Sequence, residues 1–327
     1  MPAIPAPTPT AAFVNQLLAI KPLWAIAKGR ARAMMVKRAE TIGVPWQARV
    51  AELRSRQGGS QPGSADLSLQ WQVDLEAIQN PDLQYPNYYT TSFHAYDEGN
   101  LGWLPAMEVE VAAKAVHAKL WPGAGANGDA QLRQSYHDVL IAQLPQTPTA
   151  IVDLGCGVGM SSETLQALYP QAQVTGVDLS PYFLAVAQYR QQERPQQEDS
   201  VGAPAPITWH HATAEETGLP AASYDLVSAC LMFHELPQTA ARAVLREAHR
   251  LLKPGGHVAL MDMNPQSEVY RQMPAFVLTL LKSTEPYLDE YFALDMAAEL
   301  ESAGFEPPTI TQNSARHRVI LAKRQDG

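Results

Sequence analysis

The sequence predicts an α/β protein: a doubly wound, mostly parallel, seven-stranded sheet that closes in an antiparallel hairpin, with a helical extension ahead of it. Three observations predict this. From Ala150 onward, short apolar runs alternate with segments of helical period, the pattern of parallel strands covered on both faces. One such run feeds the glycine turn Asp153-Leu154-Gly155-Cys156-Gly157-Val158-Gly159, and the next ends in an acid, Asp178, 23 residues after the first glycine. The last two apolar runs, Pro308–Gln312 and Arg316–Ala322, are close enough to pair as a hairpin.

Each element has a local reason. Residues 1–10 are rich in Pro, Ala and Thr and predict extended or disordered chain. From Ala11 to about Arg56 the apolar spacing is helical, interrupted by Pro22, Gly43 and Pro45, and the polar, glycine-rich stretch 57–65 reads as a joint. A helix is expected over Asp66–Gln79, then an irregular aromatic stretch from Tyr85 to Trp103. Pro105 suits the first turn of the next helix, and another runs over Ala130–Leu144. Strands are expected at Ala150–Leu154, Gln173–Asp178, Ile207–His211, Tyr224–Cys230 and His257–Met263. Helices fall between them, with a polar insert at about 193–206. A lid-like segment precedes a final helix, Met296–Ala303, which Gly304 ends. The domain expectation is a helical cover over residues 1–145 and a ligand-binding domain over 146–327 carrying the lid at about 265–295.

Composition excludes several classes. Hydrophobic residues make up 46% and charged residues 17%, as in an ordinary soluble globular protein. Cys156 and Cys230 are the only cysteines, so no disulfide framework is implied, which fits a reducing, cytoplasmic setting. No apolar run is long enough to span a membrane, and the N-terminus lacks the charged and apolar regions of a secretory signal. The net charge of −9 is unevenly spread: residues 1–56 hold nine Lys/Arg against two Asp/Glu, and the remainder holds 15 against 31. An acidic body argues against a nucleic-acid partner. The basic start has two readings. One is a solvated helix face. The other is peripheral contact with an anionic membrane, because Leu17, Leu18, Leu23, Trp24 and Ile26 interleave with Lys21, Lys28, Arg30 and Arg32.

The glycine turn brings backbone close to a ligand, and an acid at the tip of the next strand can accept both hydroxyl hydrogens of a ribose. A dinucleotide fingerprint would place its third glycine one position later, where Met160 stands. Asp153, two residues ahead of the first glycine, would also repel a pyrophosphate but welcome a ligand carrying an ammonium and a sulfonium. This D-x-G-x-G-x-G pattern followed by Asp178 resembles motif I and the ribose acid of class I S-adenosylmethionine (SAM) methyltransferases, whose sheet is Rossmann-like. Residues 150–264 resemble the whole cofactor half of that family, within the type 11 group of small-molecule enzymes that includes quinone C-methyltransferases. The resemblance implies SAM as cofactor, seated by Asp153, Gly155, Cys156, Gly157, Gly159, Asp178 and Leu179. Ala212-Thr213-Ala214-Glu215 would border the adenine, with Ala214 offering a backbone N–H and Thr213 standing where the family usually has Asp or Asn. Cys230 would close the cradle from the fourth strand. Tyr88-Tyr89 through Leu101 and Lys282 through Tyr291 are similar to a subset of these enzymes from photosynthetic lineages.

Methyl transfer from a sulfonium needs an aligned nucleophile, a dry pocket and often a base. His234 follows the fourth strand, beside Glu235, and His94 lies in an ionisable cluster with Tyr96. These four are the catalytic candidates, since an unperturbed imidazole already titrates near neutrality. Tyr88, Tyr89, Trp103, Tyr287 and Tyr291 are candidate aromatic walls. Neither cysteine is read as a nucleophile, and no metal site is expected, because His210 and His211 point to opposite faces of a strand and Asp262-Met263-Asn264 is too isolated to cage a cation. The expected reaction is in-line transfer to a small molecule. A nucleic-acid or protein methyltransferase and a SAM-binding module without catalysis are the alternatives. The Phe233-His234-Glu235-Leu236-Pro237 turn lacks both the Asn/Asp-Pro-Pro-aromatic turn of base methylation and the paired glutamates of arginine methylation.

Overall fold

The computed structural model describes residues 21–56, 67–94, 96–193 and 205–325. The proline-rich start, Leu17, Leu18, the 57–65 joint and most of the 193–206 insert therefore lie outside the described residues. So does the membrane-contact reading of the side chains from Lys21 to Lys28.

Seven strands form one sheet: β1 (Ala150–Leu154), β2 (Gln173–Asp178), β3 (Thr208–His211), β4 (Tyr224–Cys230), β5 (Leu252–Met263), β6 (Thr309–Gln312) and β7 (His317–Lys323). Their order is β3-β2-β1-β4-β5-β7-β6, parallel from β3 through β5, with β7 antiparallel to β5 and β6 antiparallel to β7. The chain reverses its strand order on the two sides of β1. The crevice between the carboxyl ends of β1 and β4 is the switch point at which such sheets bind ligands. One boundary differs from expectation: β5 begins at Leu252, five residues early. Tyr224 pairs with Leu252 while Leu226 pairs with His257, so a bulge absorbs Lys253–Gly256. Gly255 takes a φ of 74° there, and Lys253 Nζ donates to Asp225 Oδ1 at 2.7 Å.

Helices cover both faces. On one, α5 (Gly128–Gln143) and α6 (Met160–Leu168) bury Leu132, Leu140 and Leu165 against Ile151, Val174 and Leu226. The Tyr136 hydroxyl on α5 donates to the Ala259 carbonyl at 3.2 Å and lies 3.0 Å from Ser228 Oγ, so its polar end is satisfied inside the core. On the other face, α8 (Gln238–Leu251) packs Val244, Leu245 and Leu251 against Val152, Val227 and Leu260. The expected lid is three helices, α9 (Glu268–Arg271), α10 (Ala275–Thr284) and α11 (Leu288–Ala293), and α12 (Met296–Ser302) follows. Tyr291 on α11 is buried and donates its hydroxyl to the Met263 carbonyl at 2.7 Å, so it belongs to the core.

The N-terminal helices are α1 (Lys21–Thr41), α2 (Trp46–Ser55), α3 (Gln70–Ile78) and α4 (Trp103–His117). Pro22 lies within the described part of α1, and the residues that would show an interruption ahead of it lie outside the described residues. These helices form their own core with α7 (Pro181–Glu193), burying Trp46, Trp71, Met107, Phe183 and Val186. They flank the sheet; what crosses its C-terminal edge is the irregular chain from Asn80 to Gly102. Asn80 donates its backbone N–H to His211 Nδ1 at 2.8 Å, Tyr88 donates to Glu215 Oε1 at 2.5 Å, and His94 donates its N–H to the Thr284 carbonyl at 3.1 Å. Glu108, 1% exposed, ties this chain to the helices: it accepts from Tyr96 Oη at 2.7 Å, Trp46 Nε1 at 3.0 Å and Arg32 Nε at 3.1 Å. A buried carboxylate with three donors is a sound lock.

Candidate active site

The glycine turn leaves β1 and enters α6 with Gly155, Gly157 and Gly159 all at left-handed φ of 65°, 56° and 81°. At Gly155 a Cβ would lie 2.5 Å from Met232 Sδ, so the loops after β1 and β4 approach too closely for any side chain. Among the described residues beyond its chain neighbours, the only atom within 4 Å of a Cβ at Gly157 would be Phe183 Cδ2, at 3.8 Å. The space where a Gly157 side chain would stand is therefore open. Filling it is expected to abolish cofactor binding: Gly157→Val should show no calorimetric heat with SAM while its melting transition persists. Wild-type affinity in a folded variant would place the ligand elsewhere.

Asp178 stands at the tip of β2 and organises this wall. Its Oδ2 accepts from Gly157 N at 2.7 Å and its Oδ1 from Ser180 N at 2.8 Å. Burial pushes its carboxyl up to about 7 against the pull of those two N–H groups. Leu179 is buried, and its carbonyl accepts from His211 Nε2 at 3.1 Å. Ser180 Oγ donates to the Asn100 carbonyl at 2.6 Å, locking the crossing chain to the strand tip.

Asp153 is fully buried, and both hydroxyls of Ser161 and Ser162 donate to its Oδ2 at 2.7 Å. Its Oδ1 has no partner. Burial raises this carboxyl, while the hydroxyls of Ser162, Ser161 and Ser228 and the Arg133 charge favour its ionised form; a buried acceptor left open costs on the order of 1–3 kcal/mol. Arg133 on α5 stands nearby, held by Asp129 Oδ2 at 2.9 Å, with Nη1 3.7 Å from Cys230 Sγ. Sequence reasoning missed Arg133; the only signal was its i−4 spacing from Asp129 on the helix, which sequence also reads as a solvated ion pair. Cys230 turns its thiol toward that guanidinium, and burial pushes the thiol up to about 12, which disqualifies it as a nucleophile. Cys156 is likewise buried and its thiol is raised by burial.

At the β3 tip, Thr213 Oγ1 accepts from Glu216 N at 3.1 Å, and Glu215 takes the Tyr88 hydroxyl. Tyr88 meets Tyr287 edge-on at 6.1 Å, and Tyr85 stacks on Tyr89 at 6.5 Å, so an aromatic wall covers this end. Trp103 is not part of it; it packs on Trp71 and Tyr182 in the N-terminal core.

Beyond β4 and β5 lies an ionisable cluster. His234 is buried and donates Nδ1–H to Asp262 Oδ1 at 2.8 Å. His94 Nε2 lies 3.1 Å from Glu285 Oε1 and 3.5 Å from Glu235 Oε1, and Asn100 Nδ2 donates to Glu235 Oε2 at 3.2 Å. His94 holds a left-handed φ of 48°, uncommon for a residue with a side chain. Its side chain keeps 35% of its surface exposed, so a small molecule can reach it. The structure brings together three of the four catalytic candidates, His94, His234 and Glu235. Tyr96 is a correction: its hydroxyl is turned away into Glu108, where it serves as an anchor. The premise of unperturbed imidazoles also fails. Burial pulls both down, but Glu285 and Glu235 overcome it and lift His94 to about 9, and Asp262 lifts His234 to about 10. Burial raises Glu235. Asp262 and Glu285 were not named as candidates, since their partners come from strands and helices distant in sequence.

Residues 152–260 match the profile described as a methyltransferase domain. The chain is 31% identical over 202 residues to ubiquinone biosynthesis O-methyltransferase of Xanthomonas oryzae pv. oryzae, spanning 58% of this chain and 77% of that one. The chain belongs to the class I SAM-dependent methyltransferases. It is also 32% identical over 161 residues to the enzyme of the same name from Bordetella pertussis, spanning 48% and 62% of the two chains. Solved structures of similar shape include a SAM-dependent methyltransferase from Aquifex aeolicus, 17% identical with a TM-score of 0.47 over 65% of this chain and 97% of that one. Magnesium protoporphyrin IX methyltransferase from Synechocystis is another, 20% identical with a TM-score of 0.44 over 60% and 85%.

The residues present fit the methyltransferase's cofactor. An orphaned, buried Asp153 oxygen suits an ammonium, the open space at Gly157 suits the body of the ligand, and Asp178 suits the ribose. Among the described residues, no helix is long and apolar enough to cross a membrane.

Proposed function

We propose that this methyltransferase acts on a small molecule at an acidic hydroxyl oxygen, held by His94 and His234 beyond the ends of β4 and β5. The observation that carries this reading is the cluster itself: two imidazoles, each fixed by a carboxylate, on the open side of the cofactor cradle. The names of the relatives, O-methyltransferases of ubiquinone biosynthesis, support an oxygen acceptor.

Bound SAM supplies a methyl group on a sulfonium, an electrophile that needs little activation. The chain's own residues do the rest. Asp178 accepts the ribose hydroxyls, and Ala214 offers its N–H to the adenine beside Thr213 and Glu215. The free Asp153 oxygen takes the ammonium, and Arg133 faces the carboxylate. Tyr88, Tyr89 and Tyr287, with the chain from Asn80 to Gly102, exclude water and set the acceptor's angle. Asp262 fixes the His234 tautomer so that Nε2 faces the acceptor; His94, carried by Glu285, takes the second contact. One imidazole receives the hydroxyl proton as the oxygen attacks in line.

Incubation with methyl-labelled SAM and a panel of phenols, catechols and enols tests the reading. The expected result is one labelled ether and one S-adenosylhomocysteine per turnover. Label entering only RNA or protein, or no consumption at all, contradicts it.

Asp178 sets a pH dependence for cofactor binding. Ribose hydroxyls donate to a carboxylate, so the ionised form binds; with the folded pKa at about 7, protonation at lower pH removes that form. SAM affinity should therefore fall about tenfold between roughly pH 8 and pH 6 and level off above about pH 8. Titration calorimetry across that window checks it. Affinity that is flat or rises toward acid would sink the assignment.

A further inference from the structure

His94, His234 and Glu285 each bring one ligand atom within 4.8 Å of the others, from three separate parts of the chain. Donors around one small divalent ion at about 2.0–2.2 Å stand ~3–4 Å apart, so a modest inward rotation closes the set. Four further features fit coordination. His234 gives its Nδ1–H to Asp262 at 2.8 Å, which leaves Nε2 as its coordinating nitrogen and fixes the ring. A carboxylate behind a histidine is the usual outer support of a metal-binding imidazole. Glu285 Oε2 is buried without a partner, although Oε1 of the same group meets His94. His94 is anchored beside it, its backbone N–H bonded to the Thr284 carbonyl at 3.1 Å. Glu235 lies one step away, 3.5 Å from His94 Nε2, able to hold a cation-bound water or act as a fourth ligand.

We propose that His94, His234 and Glu285 form a binding site for a divalent cation at the acceptor end of the cleft. Two imidazoles and one carboxylate select a borderline ion such as zinc, manganese, iron(II) or cobalt over magnesium or calcium, which prefer all-oxygen shells. Three protein ligands leave positions open, as at sites where a metal meets a substrate. Those positions suit an acceptor with two adjacent oxygens, a catechol or an enol beside a carbonyl, whose hydroxyl becomes more acidic on the cation. In the loaded protein His94 and His234 act through the cation and not as free bases. That role toward the acceptor rests on the methyltransferase reading; cation binding itself does not.

The full chain, stripped with EDTA and dialysed, is titrated with cobalt(II), following the visible d–d bands and confirming stoichiometry by elemental analysis. One equivalent is expected, with zinc displacing it. Glu285→Gln and His94→Gln should each weaken binding at least ~10-fold, and Asp262→Asn, which keeps every ligand, by ~10- to 100-fold. SAM affinity, measured on the same samples, should stay within about threefold of wild type and report that each variant is folded. No saturable uptake by the wild type, or equal uptake by all three variants, overturns the site. If SAM binds and methyl is transferred in stripped protein without metal uptake, the cation proposal falls and the enzyme reading stands. If cobalt binds as expected but SAM does not, the cofactor seat is what fails.

Discussion

Replacing His234 with glutamine is expected to lower kcat by ~10²- to 10⁴-fold while SAM affinity stays within a few-fold of wild type. Glutamine keeps a donor near Asp262, so the buried carboxylate is not stranded, but it can neither accept a proton nor ligate as an imidazole does. His94→Gln is expected to act in the same direction with a smaller loss, because its ring is more exposed and shares its work with Glu235. The pH profile separates a base from a packing residue. Carboxylates hold His94 at about 9 and His234 at about 10, so in metal-free enzyme the deprotonated rings are scarce at neutrality. The rate should climb about tenfold per pH unit from neutrality and level off at the value of the ring that takes the proton, about 10 for His234 or about 9 for His94. Glu285→Gln removes a charge that raises His94, so the limb should move to lower pH. If both histidine variants and the double variant turn over at near wild-type rate, proton transfer through this cluster is excluded.

Asp178→Ala is expected to cost ~2–3 kcal/mol of SAM binding, or ~30- to 150-fold in affinity, through two lost ribose hydrogen bonds. The same carboxylate accepts from Gly157 and Ser180, so alanine also leaves two backbone N–H groups open at the tip of β2. Asp178→Asn separates these effects. An amide oxygen can still serve one of those groups, so the turn keeps more of its shape while a charged acceptor is lost. Both variants should melt cooperatively. Unchanged SAM affinity in folded Asp178→Ala would mean that the ribose lies elsewhere.

The sheet was legible because β1, β2, β4 and β7 are short runs of five to seven residues rich in apolar side chains, and because the glycine turn and Asp178 fix the first crossover. The exception shows why some boundaries were not. Lys253-Pro254-Gly255-Gly256 reads as a loop, yet Asp225 on the neighbouring strand draws Lys253 in, and a bulge keeps the pairing going. The cofactor wall was legible for the same reason as the sheet: its parts are contiguous. The acceptor end was only half legible. His94, His234 and Glu235 stood out as ionisable residues in aromatic or strand-end contexts, but Asp262 sits 28 residues from His234 and Glu285 sits 191 residues (285 − 94) from His94, with no spacing rule to join them. Tyr96 was misjudged because sequence shows a neighbour of His94, while the backbone at φ 48° swings the two side chains apart. Arg133 lies on a helix that precedes the sheet, and only the fold brings it beside Asp153.

The most direct test is a structure of the full chain with S-adenosylhomocysteine and a catechol. The predicted result has the ribose hydroxyls on Asp178, the ammonium at Asp153 and the acceptor oxygen ~3–3.5 Å from the point the methyl would occupy, in contact with His94 or His234. A ligand seated in the cradle with its sulfur more than ~15 Å from the residues 93–100, far beyond the reach of any attacking group, would contradict the account.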